Sequence, residues 1–434
     1  MAHFPKPAEG SWTEHYPGLG TEPVDYEDSI SREFYEKERD AIFMRTWLNV
    51  GRVEELPRTG SYFTREFPFF KRSLIITKDQ SGTVRAFHNI CRHRGNKLVW
   101  EDYPDREVRG TTRQFHCKYH AWRFDLDGSL DFVQQESEFW NLPKDDLGLV
   151  PVHCQVWEGF IFVNFADQPE QTLVEFLGEM ATGLGGYPFG EMTDRFTHRS
   201  EINSNWKLFV DAFVEFYHAP VLHQRQAVGS EAQKLFNHGY ENLHYEMFSP
   251  HSMESAWGGM SPPKDPSMVK PLENVLRAGL FGPWDSPGVV KELPWMVNPS
   301  KHRAWGIDSF VIFPNFMILI WEREWYLTYH YWPISESKHL FEVNCYFVPA
   351  KNAVDRLRQE MTAVTMKEYA LQDGNTLEAT QTMLETGVVR QFHLNDQEVM
   401  CRHHHKVVKA HVKAWETGTA VTYPWQAALD AKRR

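Results

Sequence analysis

A chain of 434 residues with 42% hydrophobic and 14% aromatic side chains, 16 Trp and 30 Phe among them, holds enough apolar material for two or three packed cores. That composition excludes wholesale disorder, and a formal charge of −12 argues against nucleic acid or an anionic membrane as partner. No stretch reaches the ~18 consecutive apolar residues of a membrane-crossing helix, and residues 1–11 lack the apolar core and cleavage site of a signal peptide.

In chain order, Val24, Tyr26, Ile30, Phe34, Ile42 and Phe43, spaced among charges, predict an amphipathic helical lead-in. From about Trp47 to Phe165 the texture changes to short β-type runs (73–78, 84–87, 122–125, 160–165), with turns at Gln80-Ser81-Gly82 and Asp127-Gly128. This predicts a small all-β domain. A link rich in Gly, Pro and acidic residues over 167–192 leads to an apolar helix near 206–216 and an irregular stretch from 224 to 302. Strands are expected at 309–321, 325–332 and 340–348. A helix then places Val354, Leu357, Met361, Val364 and Leu371 on one face, and a C-terminal helical section closes the chain. Strands followed by helices, without βαβ alternation, indicate an α+β chain. No internal repeat or low-complexity tract is present. Five cysteines, an odd number, suit metal ligation in a reducing compartment better than a disulfide framework, so the expected location is the cytoplasm.

The strongest chemical signal is Cys91-x-His93, 23 intervening residues, then Cys117-x-x-His120. Two thiolates and two imidazoles on paired loops can hold a [2Fe–2S] cluster, Cys on one iron and His on the other. A Cys2His2 zinc site uses the same residues, but zinc-finger spacing keeps Cys with Cys and His with His. The segments Cys91-Arg92-His93-Arg94-Gly95 and Cys117-Lys118-Tyr119-His120-Ala121-Trp122, followed by Asp127-Gly128, resemble the Rieske signature of ring-hydroxylating oxygenases. Gly95 and Gly128 supply tight turns, and Trp122 would pack beneath the cluster. Two departures are noted: Ala121 stands where the family usually has Gly, a change expected to cost little. The spacer is also longer than usual, its excess expected as a surface hairpin over 101–110.

A second constellation follows Asn205-Trp206-Lys207: Asp211, Glu215, His218 and, beyond Pro220, His223. Glu215 and His218, three apart, fall on one face of a helix, and Pro220 must distort the chain before His223. Two His and one carboxylate make a facial-triad Fe(II) site with positions left free for O₂. Glu-x-x-His-x-x-x-x-His resembles the mononuclear iron motif of the same family. The resemblance makes His218 and His223 iron ligands and Glu215, where family members carry Asp or Glu, the acid that links this iron to a neighbouring subunit's cluster. It also makes Asp373, closing the helix in Leu371-Gln372-Asp373-Gly374, the third ligand, with Asp396 and Glu368 as competitors. His403-His404-His405 reads as a solvated helical face, and Cys154, Cys345 and Cys401 as buried apolar residues. Asp211 stays open between a partner of Glu215 and an exposed position.

The resemblance implies a lead-in over 1–44 packing on the catalytic domain, a Rieske [2Fe–2S] domain over 45–166, and a catalytic mononuclear-iron domain over 167–434. The catalytic domain should be a helix-grip, an antiparallel sheet flanked by helices. It further implies a head-to-tail homotrimer, with or without a small β subunit. NAD(P)H electrons would come from a separate reductase and perhaps a ferredoxin, for O₂-dependent hydroxylation, dihydroxylation or demethylation. Phe209, Phe213, Val214, Phe216 and Phe310 are candidate pocket walls, suited to an apolar aromatic or steroid-like substrate. The rival class is an electron carrier or binding protein without the mononuclear iron.

Overall fold

The computed structural model describes residues 11–223, 242–257, 270–279, 282–303 and 305–426. They form two units, one spanning Phe43–Phe176 and one built from the chain on either side of it. The expected leader-free start falls outside the described residues except for Ser11, as do 224–241, 258–269 and 280–281 of the stretch expected to be irregular.

In the first unit seven antiparallel strands run in the order Leu48–Arg52, Phe160–Asn164, Pro151–Trp157, Val84–His88, Arg72–Lys78, Ser61–Phe67, Arg109–Thr111. A second, three-stranded sheet joins Phe115–His116, Arg123–Phe124 and Leu130–Phe132. The expected hairpin over 101–110 is not formed. That segment is irregular through Val108, and then Arg109–Thr111 adds to the edge of Ser61–Phe67. Glu107 fastens it there by accepting from Glu66 N at 3.1 Å and from Arg65.

The second unit carries a seven-stranded antiparallel sheet ordered Asp194–Ile202, Lys338–Phe347, Trp325–Ser335, Phe316–Trp321, Trp305–Ile312, His251–Trp257, Asn242–Phe248. The strand expected at 309–321 is two strands, divided at the Pro314-Asn315 turn. The last two strands of this sheet, the helix Pro271–Leu276 and a short pair, Ala278–Gly279 with Gly282–Pro283, occupy part of the stretch expected to be irregular. The 167–192 link holds short helices Leu173–Leu177 and Glu179–Gly183. The lead-in is broken into pieces rather than one helix. Its longest α-helix, Arg32–Glu38, is capped by the Ser31 hydroxyl.

The helix expected near 206–216 starts where Asn205 accepts from Lys207 N, but it ends at Asp211. The long helix Ala353–Leu384, capped by Asn352, does not stop at Asp373 but runs on through it. Its apolar stripe faces outward: Val354 is 47%, Leu357 50%, Val364 49% and Leu371 50% exposed. The inward face is instead Thr362, Ala363, Met366, Tyr369, Ala370, Asp373 and Gly374. A helical period identifies two faces without saying which one is covered. Among the described residues no helix is long and apolar enough to cross a membrane.

Behind the 206–211 helix lies a buried ionic network that also overturns the solvated reading of 403–405. His403, His404 and His405 are all buried on the last helix, Val399–Thr417. His403 Nε2 meets Ser249 Oγ at 2.7 Å, and burial drops its pKa to about 3. His405 lies between Asp211 (2.8 Å) and Asp28 (3.3 Å); burial opposes its charge, but the two carboxylates hold its pKa up at about 10. Asp211 is therefore neither exposed nor bonded to Glu215 but part of this network. Lys207, fully buried, reaches Glu38 Oε1 at 2.6 Å and Asp28 O at 2.9 Å.

Candidate metal centres

In the Phe43–Phe176 unit two tight loops bring Cys91, His93, Cys117 and His120 together. Gly95 N donates to Cys91 O and Ala121 N to Cys117 O, each closing a turn around its cysteine. Gly95 takes φ 71° and Gly128 φ 94°, a region that costs glycine nothing. His93 Nδ1 and His120 Nδ1 face each other at 3.1 Å. Trp122 is buried and stacks on His93 at 4.9 Å and 7°. Asn96 Nδ2 reaches Cys117 Sγ at 3.8 Å. Both cysteines are buried and free. Burial pushes the Cys91 thiol up to about 11, so a bound cation is what would hold it as a thiolate near neutral pH. Two converging imidazole nitrogens and two buried thiols fit the mixed Cys2His2 ligation of a Rieske [2Fe–2S] cluster.

Ala121 also has a positive φ, 58°. Glycine is at home in this left-handed conformation, so the substitution does carry strain. Ala121→Gly should stabilise this unit by about 0.5–1 kcal/mol. A higher thermal midpoint for the cluster-loaded protein is the expected reading, and an unchanged one counts against strain at this turn.

In the other unit the chain turns irregularly after Asp211, and Glu215 and His218 lie in that turn rather than on a continuous helix. Glu215 Oε2 accepts His218 N at 3.0 Å, and its Oε1 lies 2.5 Å from His218 Nδ1. The short helix Ala219–Leu222, with Pro220 in its first turn, then delivers His223. His218 Nε2 and His223 Nε2 are 3.3 Å apart, and Asp373 Oδ1 is 3.7 and 3.4 Å from them. Burial works against a charged His218, yet Glu215 and Asp373 hold its pKa above the ordinary value. Ligand atoms of His218, His223 and Asp373 all lie within 4.8 Å of one another. Asp373 is buried, and neither oxygen receives a hydrogen bond among the described residues. A carboxylate so desolvated, facing two Nε2 atoms, fits a divalent cation. Of the competitors, Asp396 accepts the backbone N–H groups of Trp12 and Thr13, and Glu368 is exposed.

A narrow cavity of about 80 Å³ opens on this triad, walled by Phe213, Phe216, Leu319, Trp321, Tyr329 and Tyr369, with Met366 and Ile307 alongside. Phe213 and Phe216 are thus lining residues. Phe209 packs instead against Phe341 and Tyr331, and Val214 and Phe310 are buried away from this cavity. Tyr369 and Met366 were findable: they sit one and two helical turns before Asp373. Trp321 and Tyr329 carried no sequence signal beyond belonging to apolar strands. Nor did Gln372, whose Oε1 lies 2.9 Å from His223 Nδ1.

A family model for the ring hydroxylating alpha subunit (catalytic domain) matches residues 189–414, just over half of the chain, and one for the Rieske [2Fe-2S] domain matches 46–146. The carnitine monooxygenase oxygenase subunit of Acinetobacter pittii is 28% identical over 244 residues, 56% of this chain and 62% of that protein. The chloroplastic choline monooxygenase of Spinacia oleracea is 32% identical over 200 residues, 45% and 43% of the two chains. The chain thus spans less than two thirds of the length of these relatives. In fold it is similar to a quaternary ammonium Rieske monooxygenase crystallised with γ-butyrobetaine (TM-score 0.67, 19% identity, 92% of this chain and 98% of that one). It is equally similar to naphthalene 1,2-dioxygenase from Rhodococcus sp. (TM-score 0.68, 19% identity, 93% and 98%). With a [2Fe–2S] cluster and a mononuclear iron as its cofactors, the chain belongs to the ring-hydroxylating alpha-subunit family of Rieske non-haem iron oxygenases.

Proposed function

We propose that the chain is the terminal oxygenase of a multicomponent system, and that its substrate presents a small quaternary ammonium group to the iron. The observation that carries the oxygenase reading is the His218–His223–Asp373 triad at the end of an apolar cavity. When bound, the cluster passes on single electrons from an NAD(P)H-dependent reductase, and the iron activates O₂. Cys91, His93, Cys117 and His120 are the cluster ligands and His218, His223 and Asp373 the iron ligands. Glu215, bonded to His218 twice, is the acid through which a neighbouring subunit's cluster would communicate, in the head-to-tail assembly expected of the family. Tyr119, more than half exposed and stacked on His120 at 3.8 Å, offers the cluster a surface contact for such exchange. Five free cysteines support a reducing, cytoplasmic setting.

The substrate class follows from the cavity wall. Five aromatic walls, Phe213, Phe216, Trp321, Tyr329 and Tyr369, face a space that has carboxylates at its end and, among the described residues, no Lys or Arg in its lining. Ring faces attract cations, most of all ones too weakly hydrated to prefer water. A trimethylammonium head suits both the ring faces and the carboxylates of this cavity, whereas a fused ring system would use only the apolar character of its wall. The relatives named for carnitine and choline support the same choice. Tetramethylammonium and naphthalene, each added to iron-loaded protein, should separate the two readings. The expected outcome is perturbation of the nitrosyl-iron EPR signal by the cation alone, lost in Trp321→Ala; a response only to naphthalene restores the aromatic substrate.

Glu215→Gln should keep both metal centres and slow cluster reoxidation in a single turnover by roughly 10-fold or more. Unchanged reoxidation would remove Glu215 from the electron route.

A further inference from the structure

The two iron-site imidazoles present the same nitrogen to Asp373, with Nε2 atoms 3.3 Å apart. Their Nδ1 atoms therefore point away from the metal position, and each meets a partner of different chemistry. His218 Nδ1 faces the Glu215 carboxylate at 2.5 Å, whereas His223 Nδ1 faces the neutral Gln372 amide oxygen at 2.9 Å. Gln372 immediately precedes Asp373 on the long helix, and Tyr369 on the same helix sets its ring edge-on to His223 at 4.7 Å and 77°.

We propose that Gln372 is a positioning residue of the mononuclear iron site: its side-chain oxygen accepts the Nδ1–H of His223 and so keeps Nε2 free as a ligand. This rests on the iron-site reading above. A neutral imidazole carries one N–H; an acceptor at Nδ1 holds that proton there and leaves the lone pair on Nε2. The helix thus delivers a ligand through one residue and orients a second ligand through its neighbour. The neutrality of the amide has its own consequence. Asp373 and Glu215 together already match the charge of a divalent cation, so a carboxylate at 372 would keep the acceptor at Nδ1 while adding a charge the site does not need.

The test uses cluster-loaded protein stripped of the mononuclear iron, with equilibrium dialysis against Fe(II) and [¹⁵N]histidine NMR as readouts. Gln372→Met keeps the side-chain volume but cannot accept; it should weaken Fe(II) binding 10–100-fold and give His223 mixed tautomers. Gln372→Glu should restore the Nδ1–H form and recover binding, which a merely structural role for this position would not produce. If wild-type protein binds Fe(II) and the Met variant matches it with His223 unchanged, the role of Gln372 is overturned. If wild-type protein itself binds no Fe(II), the iron-site reading falls with it.

Discussion

Asp373→Ala is expected to lose the mononuclear iron and all turnover while the protein stays brown and folded. Iron content should fall from about three to about two per chain, since the cluster ligands lie in a different unit and are untouched. Stability separates a ligand from a structural acid here. A buried structural carboxylate is held by donors, and its removal leaves them unpaired at a cost of about 1–3 kcal/mol. Neither Asp373 oxygen receives a hydrogen bond among the described residues. The variant lacking this carboxylate should therefore be at least as stable as wild-type protein when both are stripped of the mononuclear iron. His218→Ala should show the same loss of one iron. Loss of the cluster spectrum in either variant, or retention of three irons, would count against two separate centres.

The largest effect on stability is expected from Lys207→Met. Lys207 and Glu38 are both fully buried and 2.6 Å apart, and Trp206 Nε1 also donates to Glu38 at 3.2 Å. Burial pushes the Glu38 carboxyl up, with the Lys207 charge as the main opposing influence. Removing the ammonium strands this acid in the interior, a loss of about 3–5 kcal/mol in cases of this kind. Urea unfolding followed by Trp fluorescence should report a correspondingly lower midpoint. The double variant Glu38→Leu with Lys207→Met should recover most of the loss, because an apolar pair needs no compensation. A single-variant loss under about 1 kcal/mol would mean that water reaches Glu38.

The cluster site was legible because its ligands come from two short loops, so spacing and turn residues carry nearly all of the geometry. His218 and His223 were legible for the same reason. Asp373 depended on family resemblance, since no local pattern ties it to residues about 150 positions earlier. Its helix was read in the right place with the wrong face inward, because hydrophobic period reports amphipathicity and here the covered face is built from small and polar residues. The triple His was misread for a related reason: imidazoles buried among carboxylates look, in sequence, like a polar surface. Gln372 gave no signal at all, since an amide acting through one hydrogen bond has no spacing rule.

One consequence of the long helix concerns how this enzyme can change its preferences. Met366 and Tyr369 shape the substrate cavity from the same rigid element that carries Gln372 and Asp373. Remodelling that wall drags the metal's geometry with it. Ile307, Leu319, Trp321 and Tyr329 shape the cavity from strands that hold no ligand, so substitutions there vary the cargo and spare the engine. New specificities in this chain should accumulate on the sheet, with the helix held constant.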